Sequence, residues 1–469
     1  MAKRKKGKNT SGARAKAFAA RLRRGRRPVD LLKRGHEGVR RLFGALALGA
    51  RRSGTAIRRH PVKTFLATIL VALCVALVVY ATSRPRMPVL AFYRVPESVR
   101  NAVVKEATVS RAFAETDFKT IILDETRPLS ELTRRPGSIQ LLFLEDGLAA
   151  ERLSGRSAGI PAVAEKALPL SFRESGRHAA RLDTVGADAD ADPGKKAYAL
   201  PLLADHFEIA WPKTLFERLS LPRPRTTDDF LAGIRAATDQ VESPLACAGS
   251  DDRVLLFLVS ALLSAEHGPA ERERVVSALR AGASFRDTLA STRLGDVLRE
   301  LVSWRDARVL HPEWLRLRER DLQGFMAEEY AAMIFMSLSA HRRVPLKTIV
   351  RYESQFFPQG SLAAKNELVA PVYVGMALDS GPRDASARDF LWSLLEPATQ
   401  GRLSGRSGLA PVALLAEAPD RQAEDVRYWI AASGRAVPDI ATASFDDPKR
   451  IDDLAREIRA YLETNGTGY

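Results

Sequence analysis

The stretch VLAFYRVPESVRNAVVKEATVSRAFAETDFKTIILDETRPLSELTRRPGSIQLLFL (89–144) decides the architecture. Within it VLAFYRV (89–95), KTIILD (119–124) and IQLLFL (139–144) are short apolar runs that read as strands. Between the first two, Val99, Ala102, Val103, Val109, Ala112 and Phe113 recur at helical spacing; a short helical segment precedes the third run, and another helix starts at Gly147. A β-α-β-α-β series predicts an α/β fold with a mostly parallel sheet and helices on both faces. Ligands bind such sheets beyond the carboxyl ends of the strands, so the loops Arg94–Ser98, Asp124–Arg127 and Glu145–Gly147 are expected at a binding cleft. Glu145 and Asp146, which end the third strand, are candidates to face it.

Upstream, TFLATILVALCVALVVYATS (64–83) is twenty residues without a charge, the length one helix needs to cross a bilayer core. The formal charge of +16 is concentrated before it: residues 1–63 hold 21 Lys and Arg against Asp30 and Glu37, a net of +19, which leaves −3 for the rest. Positive charge beside a hydrophobic span is retained in the cytoplasm, and Pro85 and Pro88 stop the helix on the far side. The expectation is a single-pass protein of the inner (cytoplasmic) membrane, with a basic cytoplasmic arm and a periplasmic or extracellular C-terminal domain. A cleaved signal peptide ending at Ala81-Thr82-Ser83 competes with this, but a leader of sixty residues is unusual for one. A lipid anchor on Cys74 fits poorly, because Leu73 precedes it and Ala76–Val79 continue the apolar run. In the arm, Leu31, Leu32, Leu42 and Phe43 mix with Lys33, Arg34, Arg40 and Arg41, which suits an anionic lipid surface. No aromatic interleaving suggests nucleic acid as a partner.

Downstream, YALPLLADHFEIAW (198–211) reads as two strands broken at Ala204–His206, with Trp211 in the core. Helices are expected over 226–240, 251–266, 269–280, 294–307, 385–395 and 447–463, and a strand over PLACAG (244–249). Val254–Leu263 is too short to span a membrane and reads as a buried core helix. In DTVGADADADPGKK (183–196) the alternating acids imitate a calcium loop, but Pro193 and Ala199 stand where Gly and a bidentate Glu are required. Cys74 lies in the span and Cys247 in the domain, so neither an intradomain disulfide nor a thiolate-pair metal site is expected.

Signatures of catalysis are nearly absent, and neither an enzyme activity nor a cofactor or metal is expected. Gly155-Arg156-Ser157-Ala158-Gly159 formally matches a nucleophile elbow, but LAAERLS before it reads as helix where the motif needs a strand.

Three segments carry a resemblance. YALPLLADHFEIAWPKTLFERLSLPRPRTTDDFLAGI (198–234), then LVSWRDARVLHPE (301–313) with GFMAEEYAAMIFMSLS (324–339), then NELVAPVYVGMALDSGPRDASARDFLWSLLEPATQGRLSGRSGLAPV (366–412) resemble, in order and spacing, family 1 of the extracellular solute-binding proteins of ABC importers. The resemblance implies a two-lobed, periplasmic-binding-protein-like fold over residues 88–412, with crossover hinge strands, closing on a small-molecule solute for an ABC permease. Residues 413–469 then form a helical extension packed on that domain. It places Asp205 as a ligand contact after the Y-x-x-P-L strand, Ser337 and Ser339 at the end of an A-A-M crossover strand, and Tyr373 in a strand near the hinge. Ser339 stands where sugar-binding relatives favour an aromatic residue. Two alternatives stay open: a sensor or interaction protein that reuses the fold with an altered cleft, and an exported hydrolase using Ser157.

Overall fold

The computed structural model describes residues 87–114, 117–134, 138–157, 199–241, 243–358, 367–378 and 385–464. The basic arm, the apolar span 64–83 and the acidic loop 183–196 lie outside the described residues.

Strand β1 (Val89–Tyr93), helix α1 (Glu97–Val109), β2 (Lys119–Ile122), β3 (Leu141–Glu145) and the short α2 (Leu148–Arg152) follow the expected order. β1 lies between β2 and β3 and is parallel to both. Parallel pairing ends there. β10 (Val372–Ala377) runs antiparallel to both β3 and β4 (Leu200–Ala204), and β11 (Ala410–Pro411) runs antiparallel to β4, giving a six-stranded sheet of order β11-β4-β10-β3-β1-β2. The expected mostly parallel sheet is therefore mixed: strands that return from elsewhere in the chain enter it from the opposite end. Its core holds Leu90, Phe92, Phe143 and Tyr373, with Phe92 stacked on Phe143 at 5.2 Å.

A second sheet, of order β6-β7-β5-β8, comprises β5 (Phe207–Pro212), β6 (Ser243–Cys247), β7 (Ala331–Ser337) and β8 (Tyr352–Phe356). Trp211 is 2% exposed in its core, as its apolar flanks predict, and Phe207 stacks between Phe257 and Phe335. Helix α3 (Asp252–Arg280) runs through this core. Asp251 caps it, accepting from Arg253 N at 2.8 Å, and Val254–Ala265 are buried without interruption. This helix is long and apolar enough to cross a membrane by composition, but 78% of its apolar window is inside the fold, so burial in a core accounts for it. The two helices expected over 251–266 and 269–280 are both present and follow one another across a kink at Gly268 (φ 79), whose backbone is not helical, before Pro269; proline has no N–H for the ladder, and glycine accepts the positive φ.

The chain passes between the sheets at Ala204–Phe207, between β8 and β9 (Glu367–Val369), and after β12 (Arg435–Val437). β9 and β12 pair in parallel as a two-stranded ribbon. Alternation along this ribbon joins the lobes: Leu368 and Ala436 enter the first core, Val369 and Val437 the second. One expectation fails here. β7 is no crossover strand, because it pairs with β6 and β5 and the chain returns into the same sheet through β8. Its last residue, Ser337, only reaches the boundary between the lobes. Beyond Val412, helix α4 (Arg421–Ala432) buries Ala423, Val426 and Ile430 in the first core, while α5 (Ile440–Ser444) and α6 (Pro448–Glu463) bury Ile440, Leu454 and Ile458 in the second.

Candidate solute cleft

The parallel register of β1, β2 and β3 brings the three flagged loops to one edge. There Arg94 N donates to Glu125 Oε1 at 3.2 Å, and Tyr93 Oη donates to the Arg127 carbonyl at 2.9 Å. Arg94 holds φ 53, a left-handed conformation that a non-glycine residue keeps only when its surroundings impose it.

Facing this edge, Asp205 leaves the first crossing with its side chain turned to the end of β7. Its carboxylate accepts from Ser339 N at 2.9 Å and Ser339 Oγ at 2.7 Å, and Ser339 Oγ lies 3.0 Å from Ser337 Oγ. Tyr373, on β10, receives a hydrogen bond at 2.7 Å from Arg253 Nη2, and the same nitrogen lies 3.3 Å from Glu145 Oε1. That oxygen is buried and has no hydrogen-bond donor. The Arg253 guanidinium also stands 5.7 Å from the Tyr373 ring centre and 5.9 Å from that of Phe257. Burial pushes the carboxyls of Glu145 and Asp205 up from their ordinary range, and Arg253 partly opposes this in both.

Five of the six predicted residues thus fall into two linked groups, Asp205–Ser339–Ser337 and Glu145–Arg253–Tyr373. Asp146 is the exception: its carboxylate turns back to Gly147 N at 3.0 Å, and burial raises it to about 6. Ser157 is remote from these groups in role: it bridges to Leu378, and the helix before it excludes the strand that a nucleophile elbow needs.

Arg253 went unnoticed in the sequence although a signal existed. In Asp251-Asp252-Arg253 a cation stands in the first turn of the long core helix, directly before the buried run Val254–Ala265. A second group was equally unforeseen. On β5, Glu208 is fully buried against His341, which Gln422 also contacts, and His206 packs edge-on to Trp429 at 5.4 Å. Burial pushes the His206 imidazole down to about 3, so it is neutral at any physiological pH.

Beside Glu145 a small pocket opens between Tyr93, Arg94 and Gly147 on one side and Thr442, Phe445 and Asp446 on the other. Its free volume is about 30 Å³, room for one or two water-sized groups and too little for a sugar ring. Among the described residues no group of three or more His, Cys, Asp or Glu side chains is arranged to hold a metal ion. Carboxylates, hydroxyls and a guanidinium of this kind suit recognition of a polar molecule by hydrogen bonds and charge.

No protein-family model matches the sequence, and no curated protein matches it. Solved structures do match in fold. The bacterial solute receptor AcbH, described as having an exclusive substrate preference for β-D-galactopyranose, superposes with a TM-score of 0.64 at 13% identity, over 81% of this chain and 94% of that one. The binding protein MsmE of Bacillus subtilis, in an open conformation, gives 0.60 at 14% identity over 81% and 97%. A probable secreted solute-binding lipoprotein of Streptomyces coelicolor gives 0.55 at 14% identity over 82% and 99%. The chain thus has the two-lobed fold of solute receptors.

Proposed function

We propose that this chain is an extracytoplasmic solute-binding protein, tethered to the membrane by residues 64–83, that delivers a small solute to an ABC importer. The observation that carries the reading is the convergence of Asp205, Ser337, Ser339, Tyr373 and Glu145, chosen from sequence, on the boundary between two lobes. Tethering raises the receptor's effective concentration at its permease. The ligand contacts are Asp205, Ser337 and Ser339, with Glu145 and Tyr373 on the facing lobe.

The test begins with the full chain in a mild detergent, examined by native mass spectrometry for a co-purifying solute. Titrated by calorimetry, that solute should bind Asp205→Ala and Ser337→Ala ten- to hundredfold more weakly, the equivalent of about 1.5–3 kcal/mol for a lost hydrogen bond to a charged group. Ser157→Ala should bind as the parent does. Unchanged affinity in both cleft variants, with normal folding, rejects the site.

A second reading, a sensor or interaction protein that keeps the fold without transport, is favoured by one feature: the cleft groups pair with one another, Asp205 with Ser339 and Arg253 with Tyr373 and Glu145. A solute that binds and is taken up by cells only when this chain is present decides for transport.

A further inference from the structure

The amino ends of β1, β2 and β3 meet on the edge of the first sheet opposite the cleft. Lys119 N donates to the Pro88 carbonyl at 2.8 Å, Gln140 N to the Val89 carbonyl at 3.2 Å, and Val89 N to Gln140 Oε1 at 2.8 Å. The turn that follows α1 closes on the same edge, with Phe113 packed on Phe118 at 5.2 Å. Two apolar side chains are left in solvent here, Met87 at 57% and Val109 at 61% exposed. Arg111, Lys119 and Arg134, on the segments that lead into β2 and β3, are exposed as well. The exposed acids are Asp117 and, on the helix Ala385–Ser393 whose Phe390 packs against Phe113, Asp389. Residues 64–469 carry a net charge of −3, so this gathering of cations is local.

What lies against this edge follows from the chain before it. Residues 84–88 (Arg84-Pro85-Arg86-Met87-Pro88) are all that separates the apolar span from Val89. Fully extended, they reach about 20 Å. The cleft lies a strand's length further on and the second lobe beyond it, so so short a connector cannot turn the cleft edge to the bilayer. Arg84 and Arg86 add to the charge that headgroup phosphates attract.

We propose that the amino edge of the first lobe is a seat on the outer face of the membrane, where Met87 and Val109 enter the interface of anionic phospholipids and Arg111, Lys119 and Arg134 meet their phosphates. This rests on the tether at residues 64–83 and needs no solute. The cleft is then held off the bilayer by the length of β1, about 17 Å.

The experiment places the full chain in nanodiscs of phosphatidylcholine with and without phosphatidylglycerol. Cys74→Ala leaves an introduced cysteine as the labelling site, since Cys247 is buried. A fluorophore at Thr108→Cys, exposed beside Val109, or at Leu346→Cys, exposed in the second lobe, is read against a quencher on the lipid headgroups. Quenching should be at least threefold stronger at Thr108 than at Leu346. A Gly/Ser insert of about twenty residues after Pro85 separates attraction from the leash. With phosphatidylglycerol present, quenching at Thr108 should persist in the lengthened chain. There the pair Arg111→Glu and Lys119→Glu, or the pair Met87→Ser and Val109→Ser, should reduce it at least twofold at an unchanged melting temperature; if one pair does not fold, the other carries the test. Loss of quenching in the lengthened parent, or quenching indifferent to phosphatidylglycerol and to both pairs, overturns the seat and leaves the tether standing. Equal quenching at Thr108 and Leu346 does the same. A cross-link between Thr108→Cys of two copies, in place of quenching, assigns the edge to a dimer and also overturns the seat. A chain that does not stay in the discs overturns the tether and the seat with it, and leaves solute binding to its own test.

Discussion

Replacing Glu367 with alanine should destabilise the protein by about 3–5 kcal/mol, the usual effect of removing one partner from a buried ion pair. Glu367 begins β9 and is 2% exposed. Ser264 Oγ donates to its Oε1 at 3.0 Å, Arg272 Nε lies 3.7 Å from the same oxygen, and Arg435 of β12 pairs with Oε2. One carboxylate thereby ties the long core helix to both strands of the ribbon between the lobes. Arg272 is as deeply buried, and without Glu367 it keeps only Glu273 at 3.6 Å and the Pro438 carbonyl. Glu97→Ala, at the exposed end of a 3.9 Å pair with Arg100, should change stability by less than about 1 kcal/mol. Chemical denaturation of the three proteins checks the ranking; equal stability of Glu367→Ala and the parent contradicts the role given to Glu367 in holding the ribbon to the core helix.

Gly147→Val should be the most damaging single change at the cleft. Gly147 has φ 152, a conformation L side chains rarely adopt, and a Cβ there would lie 2.6 Å from the Thr442 carbonyl oxygen and 2.7 Å from its Cγ2. Backbone strain and overpacking each cost about 1–3 kcal/mol, and the second is relieved only if Thr442 withdraws from the first lobe. The variant should therefore melt lower and favour parted lobes. Gly324→Ala, inside a helix where a Cβ meets nothing within 4 Å, should instead gain about 0.5–1 kcal/mol.

The first lobe's strands, the core helix and the cleft-facing loops were legible because each rests on local pattern: apolar runs of strand length, helical spacing, and the rule that parallel strands bind at their carboxyl ends. β10 and β7 were harder. Both are buried at every position, and such runs fit a parallel strand, an antiparallel one or a crossover equally well; only the pairing partners decide. Asp205, Ser337 and Ser339 were singled out by motif position, and Glu145 by the end of a strand. Arg253 lies 120 residues from Tyr373 and 108 from Glu145 in the chain, so its pairing depends on how two lobes meet. Asp146 stands apart from the groups that the other five join, because adjacent residues at a strand end point to opposite sides and its carboxylate turns to Gly147 N. The Glu208–His341 pair escaped notice because a lone acid in an apolar strand gives no hint of its distant partner.

The central claim is that two lobes close on a solute, and the distance between them tests it most directly. Spin labels at Ile122 in the first lobe and Leu346 in the second, both exposed, report that distance in the full chain without touching the cleft. Without solute, pulsed dipolar spectroscopy should show a population at longer separation, which shifts to a single shorter distance at saturating solute and stays long in Gly147→Val. One fixed distance, unmoved by the co-purifying molecule, contradicts the account and leaves a two-lobed protein that does not close on a ligand.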